Sequence, residues 1–276
     1  MIRILKLTKE NYYSKEANLE YMSNSLYKSI VECPAKAMAS LHGEIEEEDK
    51  TAFIMGNLLH SWSESKEAFE QFKDNHPEIY TRKGTLRKSP NYAIIDDWIR
   101  ILKDDKKAMF SLRGEKEVIC TGELFGVNWK IRIDALDHGK KAFTDLKTTR
   151  EINKRYWDNK AKEWVNFIQH WGYDKQLSIY AEILRDYLGI KEYYTPHILA
   201  VSKEKKAPDK ELIYISKDDI PSILEKIELG IGDDLTIYDV LDIWKGRKEA
   251  KSCGHCSYCK SRKQIEKAVY YMDIGI

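Results

Sequence analysis

Hydrophobic positions change their period partway along the chain, and the change divides it. In the first third the apolar residues recur at helical spacing. Leu26, Ile30 and Cys33 stand at i, i+4 and i+7 behind Asn24 or Ser25, either of which can cap the helix. Pro34 suits the first turn of a following helix carrying Ala37, Met38 and Leu41, which Gly43 stops. An acidic, solvated link over 44–50 leads to helices expected over 52–62 and 67–72. After a basic loop over 81–91, Ile94, Trp98, Ile101 and Leu102 mark a strongly amphipathic helix.

Beyond Arg113 the period falls to two. Residues 117–121, 127–135 and 141–147 predict three strands separated by glycine-containing turns. In the second, Val127, Trp129, Ile131 and Ile133 alternate with Asn128, Lys130, Arg132 and Asp134, which gives one apolar face and one wet face carrying Asp134. A long helix over 167–188 follows, ended by Gly189, and 197–202 and 211–215 predict two more strands. Ser216 caps a helix with Asp218 and Asp219 in its first turn, and the chain closes with a cysteine segment and a short helix. No internal repeat is visible. The order of elements is that of an α/β (α+β) fold, a central mixed sheet flanked by helices. We expect one domain over 1–276: a helical N-terminal part to about 112, a core over about 113–216, and C-terminal helices with the cysteines over about 217–276.

Composition narrows the function. With 46 Lys+Arg against 45 Asp+Glu the net charge is +1, so a broad basic DNA-binding face is excluded. Any polyanion contact must come from local patches balanced by acids elsewhere, as in an enzyme that gathers carboxylates around metal ions. Seven Trp, 17 Tyr and seven Phe argue against disorder. No apolar run approaches the roughly 20 residues of a membrane span, and residues 1–11 contain no signal-peptide core, so a cytoplasmic protein is expected.

Candidate chemistry centres on Ile133-Asp134-Ala135 and Thr144-Asp145-Leu146-Lys147. A tight turn through Asp137-His138-Gly139 would bring Asp134 and Asp145 side by side on neighbouring strands. Two such carboxylates repel unless a cation lies between them, and Mg²⁺ beside a phosphate substrate meets that need. Lys147, two residues past Asp145, shares its strand face. The alternative is a cross-strand salt bridge on a solvated sheet face.

Five cysteines occur, with Cys253, Cys256 and Cys259 in one short loop and Cys33 and Cys120 apart. In a cytosolic chain such clustering points to metal rather than disulfides. Three thiolates are one short of a closed four-ligand site, and His255 or a distant residue such as Cys33 can supply the fourth. Reduced thiols, with Cys33 and Cys120 buried as small hydrophobes, are the alternative. Basic patches stand at Arg82-Lys83-Gly84-Thr85-Leu86-Arg87-Lys88, Lys203-Glu204-Lys205-Lys206 and Lys260-Ser261-Arg262-Lys263. Trp157 and Trp164, near Arg155 and Lys162, suit stacking on an end base, although at least one is expected to pack in the core.

The Asp134…Asp145-Leu146-Lys147 segment resembles the PD-(D/E)XK nuclease core, in particular RecB-like and RecE-like exonucleases and phage exonucleases related to the lambda enzyme. Most of the chain takes part. Gly56-Asn57-Leu58-Leu59-His60 resembles the upstream Gly-x-x-x-His element, Gly114-Glu115-Lys116-Glu117 the acidic first core strand, and Gln176 and Tyr180 the Gln and Tyr of the helix after the core. The position before Asp134 is Ile133 where the family pattern has Pro. The resemblance implies a restriction-endonuclease-like core and a Mg²⁺ (or Mn²⁺)-dependent exonuclease acting on double-stranded DNA ends. Asp134, Asp145, the Leu146 carbonyl, Glu115 and His60 would hold metal; either Glu115 or Glu117 fits the acidic role, and Glu115 is favoured. Lys147 would act on the attacking water, Gln176 would fix Lys147 or a phosphate oxygen, and Tyr180 would line the cleft. It further implies a phage-type recombination setting with a single-strand annealing protein, a homo-oligomeric ring, and a [4Fe–4S] cluster on Cys33, Cys253, Cys256 and Cys259, a set that suits Zn²⁺ equally by count. An endonuclease on the same fold, or an inactive DNA-binding protein with a cysteine-bound metal, are the competing functions.

Overall fold

The structure, a computed structural model, describes residues 5–45, 51–81, 87–204, 207–265, 268, 270 and 272. Residues 46–50 of the acidic link, and 82–86 and 205–206 of two basic patches, lie outside the described residues.

Seven α-helices among the described residues precede the sheet: α1 (Lys15–Glu20), α2 (Asn24–Glu32), α3 (Pro34–His42), α4 (Thr51–Glu64), α5 (Lys66–Asn75), α6 (Pro90–Lys103) and α7 (Lys106–Ser111). The cap of α2 is Ser23, whose hydroxyl accepts from the Leu26 N–H, one residue before the two candidates read from sequence. Pro34 opens α3 and Gly43, at φ +78°, ends it in the left-handed conformation that suits glycine.

A five-stranded mixed sheet follows in the order β1 (Glu115–Leu124), β2 (Val127–Asp137), β3 (Ala142–Thr149), β6 (Thr195–Ser202), β7 (Lys210–Tyr214). All neighbours are antiparallel except β3 and β6, which pair in parallel with Asp145 opposite Ile198 and Lys147 opposite Ala200. The crossover between them holds a separate hairpin, β4 (Tyr156–Asp158) with β5 (Glu163–Val165), then α8 (Phe167–His170) and α9 (Tyr173–Leu188). The single helix expected over 167–188 is therefore two. Gly172, at φ +62°, breaks it. Beyond the sheet lie α10 (Ile220–Leu229), α11 (Ile237–Trp244) and α12 (Ser257–Ser261). Asp219 rather than Ser216 precedes α10, and α11, opened by a Thr236–Asp239 capping box, is an element the periodicity did not reveal.

Both sheet faces are covered. Along β6, Ile198 and Ala200 join one buried cluster with Trp129, Ile131 and Leu177, while Leu199 and Val201 join another with Leu58, Trp98 and Leu146. The polar face of β2 is accordingly not wet: Lys130 is 1% exposed and donates to the Tyr12 carbonyl and, at 2.7 Å, to Asn18 Oδ1. The N-terminal segment folds over this face and turns it into a cleft wall. No helix among the described residues is long and apolar enough to cross a membrane.

Candidate active site

The β2–β3 ladder runs from Asp137↔Ala142 to Ala135↔Thr144 and stops there. The next residue, Asp134, uses its side chain instead: Oδ2 accepts the Leu146 N–H at 2.7 Å. The strands thus part where the two acids stand, and the gap is closed by a carboxylate. Asp134 and Asp145 are both buried, at 9% and 4% exposure.

Two other elements bring side chains to Asp134, and a residue of its own strand braces one of them. His60, on α4, places Nδ1 3.1 Å from Asp134 Oδ2. Glu117, on β1, completes a trio in which one ligand atom from each residue lies within 4.8 Å of the others. Arg132, two residues before Asp134, sets Nε 2.8 Å from Glu117 Oε2. Beside the trio, Lys147 Nζ lies 2.7 Å from Asp145 Oδ2 and 5.1 Å from the Tyr173 ring centre, and Gln176 Nε2 donates to Asp145 Oδ1 at 3.2 Å. Gln176 therefore holds Asp145, not Lys147. Tyr180, one turn on, lines the same cleft of about 370 Å³ with His60, Asp134, Asp145 and Lys147.

Glu115 is corrected by its placement. Its side chain is solvent-exposed, 3.5 Å from His138, and Glu117 occupies the position beside Asp134. Strand alternation would put residues 115 and 117 on one face. Glu117, however, has φ +54°, and the β1–β2 ladder steps from Lys116↔Ala135 to Val118↔Ile133 without it. A left-handed non-glycine residue in a strand is strained, and here the strain re-aims a carboxylate into the cluster. Arg132 and Tyr13, whose hydroxyl meets Arg132 Nη2 at 2.7 Å, were missed. Arg132 was findable, since it shares the polar alternation of β2 with Asp134.

The electrostatics show a site short of positive charge. Burial works against ionising Asp134, yet the His60 and Lys147 charges and the Leu146 N–H hold its carboxyl below the ordinary value. Burial keeps Asp145 above it, with Lys147 only partly offsetting. Burial, then the Asp134 charge, push Glu117 up to about 7. For His60 burial opposes the charged form, but the Asp134 carboxylate outweighs it and raises the imidazole. Asp145 Oδ2 is buried and receives no hydrogen bond of ordinary geometry; the Lys147 ammonium is its close neighbour. Three buried carboxylates with an under-satisfied oxygen form a hard-oxygen donor set, which fits a divalent cation such as Mg²⁺.

One prediction separates the two acids. E117Q should lower metal-dependent turnover about tenfold or more, whereas E115Q should stay at the parental rate. Because Glu117 is protonated below about pH 7, a cation must displace that proton. Mn²⁺ affinity by calorimetry should therefore rise between about pH 6 and 8 in the parent and rise less in E117Q.

A second cluster lies where the chain's distant parts meet. Cys33, the residue between α2 and α3, sets its sulfur 3.5 Å from Cys259 and 3.8 Å from Cys256, while Cys253 and Cys259 are 3.9 Å apart. All four sulfurs fall within 4.8 Å of one another. None is bonded to another, since a disulfide needs about 2.05 Å. The Cys256 and Cys259 N–H groups each point to the sulfur three residues back, at 3.4 Å. His255 instead sets Nδ1 2.9 Å from the Cys253 carbonyl, and Cys120 is buried in the core. Of the two sources considered for a fourth ligand, Cys33 is the one brought to the loop.

A mixed sheet carrying Asp134 and Asp145-x-Lys147, with a buried carboxylate cluster between, defines the PD-(D/E)XK class of fold and site. Residues 23–262 match the family described as "PDDEXK-like domain of unknown function (DUF3799)", and the chain belongs to that family. It is also similar to the crystal structure of a "Putative exonuclease" from Eubacterium rectale, with 32% identity, a TM-score of 0.87, and coverage of 99% of this chain and 100% of that one. A second solved structure, SSO0001, is 17% identical over 82% of this chain and 95% of its own, and its TM-score of 0.27 carries no argument. A search of curated proteins gave no match. Family and fold together support a nuclease.

Proposed function

We propose that this protein is a Mg²⁺-dependent deoxyribonuclease that hydrolyses phosphodiester bonds at the ends of linear double-stranded DNA. The observation that carries the reading is the His60–Glu117–Asp134 trio, with both carboxylates buried, set against the Asp145–Lys147 pair beside one cleft. Asp134, Asp145 and Glu117 are the residues that would hold the ion, with the Leu146 carbonyl and His60 as further donors once His60 is deprotonated. When bound, Mg²⁺ lowers the pKa of a coordinated water and neutralises charge on the scissile phosphate. Lys147, held by Asp145 and backed by the Tyr173 ring, presents its ammonium to the attacking water or to the phosphate oxygens. Gln176 fixes the Asp145 carboxylate, and Arg132 does the same for Glu117.

K147A should leave cation affinity nearly intact and lower turnover about 10²-fold, because the ammonium acts on the transition state. Parental turnover at saturating Mg²⁺ would return Lys147 to a salt-bridge role. The exonuclease reading is supported by the "Putative exonuclease" neighbour. Incubating end-labelled linear DNA and closed circular DNA, with and without Mg²⁺, tests it. Loss of the linear form alone is expected; cleaved circles would indicate the endonuclease, and no cleavage an inactive binder. The phage-type recombination setting, with its annealing protein and ring, is supported by the sequence resemblance, and sedimentation of the purified chain checks the ring.

For the cysteines we propose one structural Zn²⁺. With Zn–S bonds of about 2.3 Å, the edge of a tetrahedron of sulfurs is about 3.8 Å, and the separations of 3.5, 3.8 and 3.9 Å agree with that edge. A four-iron cluster carries its thiolates on separate iron atoms and holds them farther apart. Burial pushes the Cys33 thiol up to about 12, so it needs a cation to ionise.

A further inference from the structure

The β4–β5 hairpin stands outside the main sheet and, among the described residues, pairs only with itself, Tyr156 opposite Val165, Trp157 opposite Trp164 and Asp158 opposite Glu163. Alternation gives it two different faces. Tyr156 and Val165 turn inward: Val165 is buried and the Tyr156 ring stacks on His170 at 4.1 Å. Trp157 and Trp164 turn outward, 44% and 56% exposed, with ring centres 5.7 Å apart. Neither packs in the core, contrary to what the sequence suggested for at least one.

Strands of three residues are too short to be stable alone. This pair is braced from several sides. Asp158 accepts from the Lys160 and Ala161 N–H groups, Lys162 takes φ +56° to close the turn, and the Arg155 guanidinium donates to the Trp164 carbonyl at 2.9 Å. A braced hairpin that holds two indoles in water is built for contact rather than for folding.

Charge and position say what it contacts. Over residues 150–164 there are five cations, Arg150, Lys154, Arg155, Lys160 and Lys162, against Glu151, Asp158 and Glu163; the Asp158 carboxylate is spent on the turn, and Lys160 is paired with Asp234 at 3.0 Å. The hairpin begins just after the strand that carries Asp145 and Lys147. Its base joins an aromatic seam through His170 and Trp171, and Tyr173, two residues further, lies over the Lys147 ammonium. Exposed aromatics among cations suit bases and phosphates together.

We infer that the β4–β5 hairpin is a base-stacking wedge, in which Trp157 and Trp164 hold an unpaired nucleotide at a DNA end while the neighbouring cations meet its phosphates. The inference rests on the nuclease reading and names the part of the substrate that the hairpin handles.

The test uses the full chain in Mg²⁺-free buffer and fluorescein-labelled oligothymidylate, read by anisotropy. W157A and W164A should each bind about tenfold more weakly, and W164F should stay near the parent. With Mg²⁺ and linear duplex, W164A should raise KM and leave kcat unchanged. Binding and KM at parental values in both alanine variants would overturn the wedge and leave the nuclease reading intact. A parent that binds oligothymidylate through the hairpin but cuts no DNA would overturn the nuclease reading and keep the hairpin as a nucleic-acid site. A parent that neither binds nor cuts would overturn both.

Discussion

D145N should abolish Mg²⁺-dependent cleavage, by at least about 10³-fold, while the protein folds and still binds DNA. The amide keeps the shape of the carboxylate and removes the charge that a cation needs. It also removes a buried ionised group whose carboxyl burial already holds above its ordinary value, so the fold loses little. Lys147 keeps a carboxylate neighbour in Asp134, which acts on its ammonium in the same direction as Asp145. Initial rates on linear duplex at saturating Mg²⁺, with circular dichroism and DNA binding measured alongside, check this. A D145N chain that degrades DNA at the parental rate places the chemistry elsewhere.

The second large effect is on stability. Cys33 and the 253–259 loop are 226 residues apart in sequence at the Cys33–Cys259 contact, so an ion held by both closes most of the chain into one loop. A structural ion bound only by the folded state adds its binding energy to folding, and closing a long loop lowers the entropy of the unfolded chain. Losing several kcal/mol in a chain of this size corresponds to a fall in Tm of roughly 10 °C. C33S, or exhaustive chelation, should produce that fall. The parent should carry about one zinc per chain by elemental analysis, and C33S a small fraction of it. Cleavage at temperatures well below the new midpoint should survive, because four thiolates leave no open position for water or substrate. A colourless parent free of stoichiometric zinc would sink the zinc assignment, and a brown one containing iron would replace it with a cluster.

Legibility in the sequence followed the range of the interaction. The alternation along β2 and the spacing of Asp134, Asp145 and Lys147 are local properties of extended chain, and they pointed to neighbouring strands and a shared face. Glu117 failed for an equally local reason: one residue in a left-handed conformation breaks the two-residue period that any strand argument assumes. The supposedly wet face of β2 could not have been corrected locally, because Tyr12 and Asn18 cover it from more than 100 residues away. The hairpin was hidden by its three-residue strands, too short for a period to register. Trp171-Gly172 did carry a signal for the break between α8 and α9, since glycine is the residue that takes the left-handed turn found there. Cys33 was reachable by counting ligands, not by any pattern near it.

The parallel pairing of β3 with β6 has a consequence for the growing chain. The β1–β2–β3 meander needs only short turns, whereas β6 becomes available only after the whole crossover has been made. In the interval β3 is a naked sheet edge, the kind of surface that recruits strands from other molecules. Asp145 and Lys147 sit in the middle of that edge, and inward-facing charges there penalise pairing with a foreign strand. The same two side chains that make the site polar would then guard the unfinished molecule against aggregation, a duty that ends when β6 pairs with β3 and closes that edge.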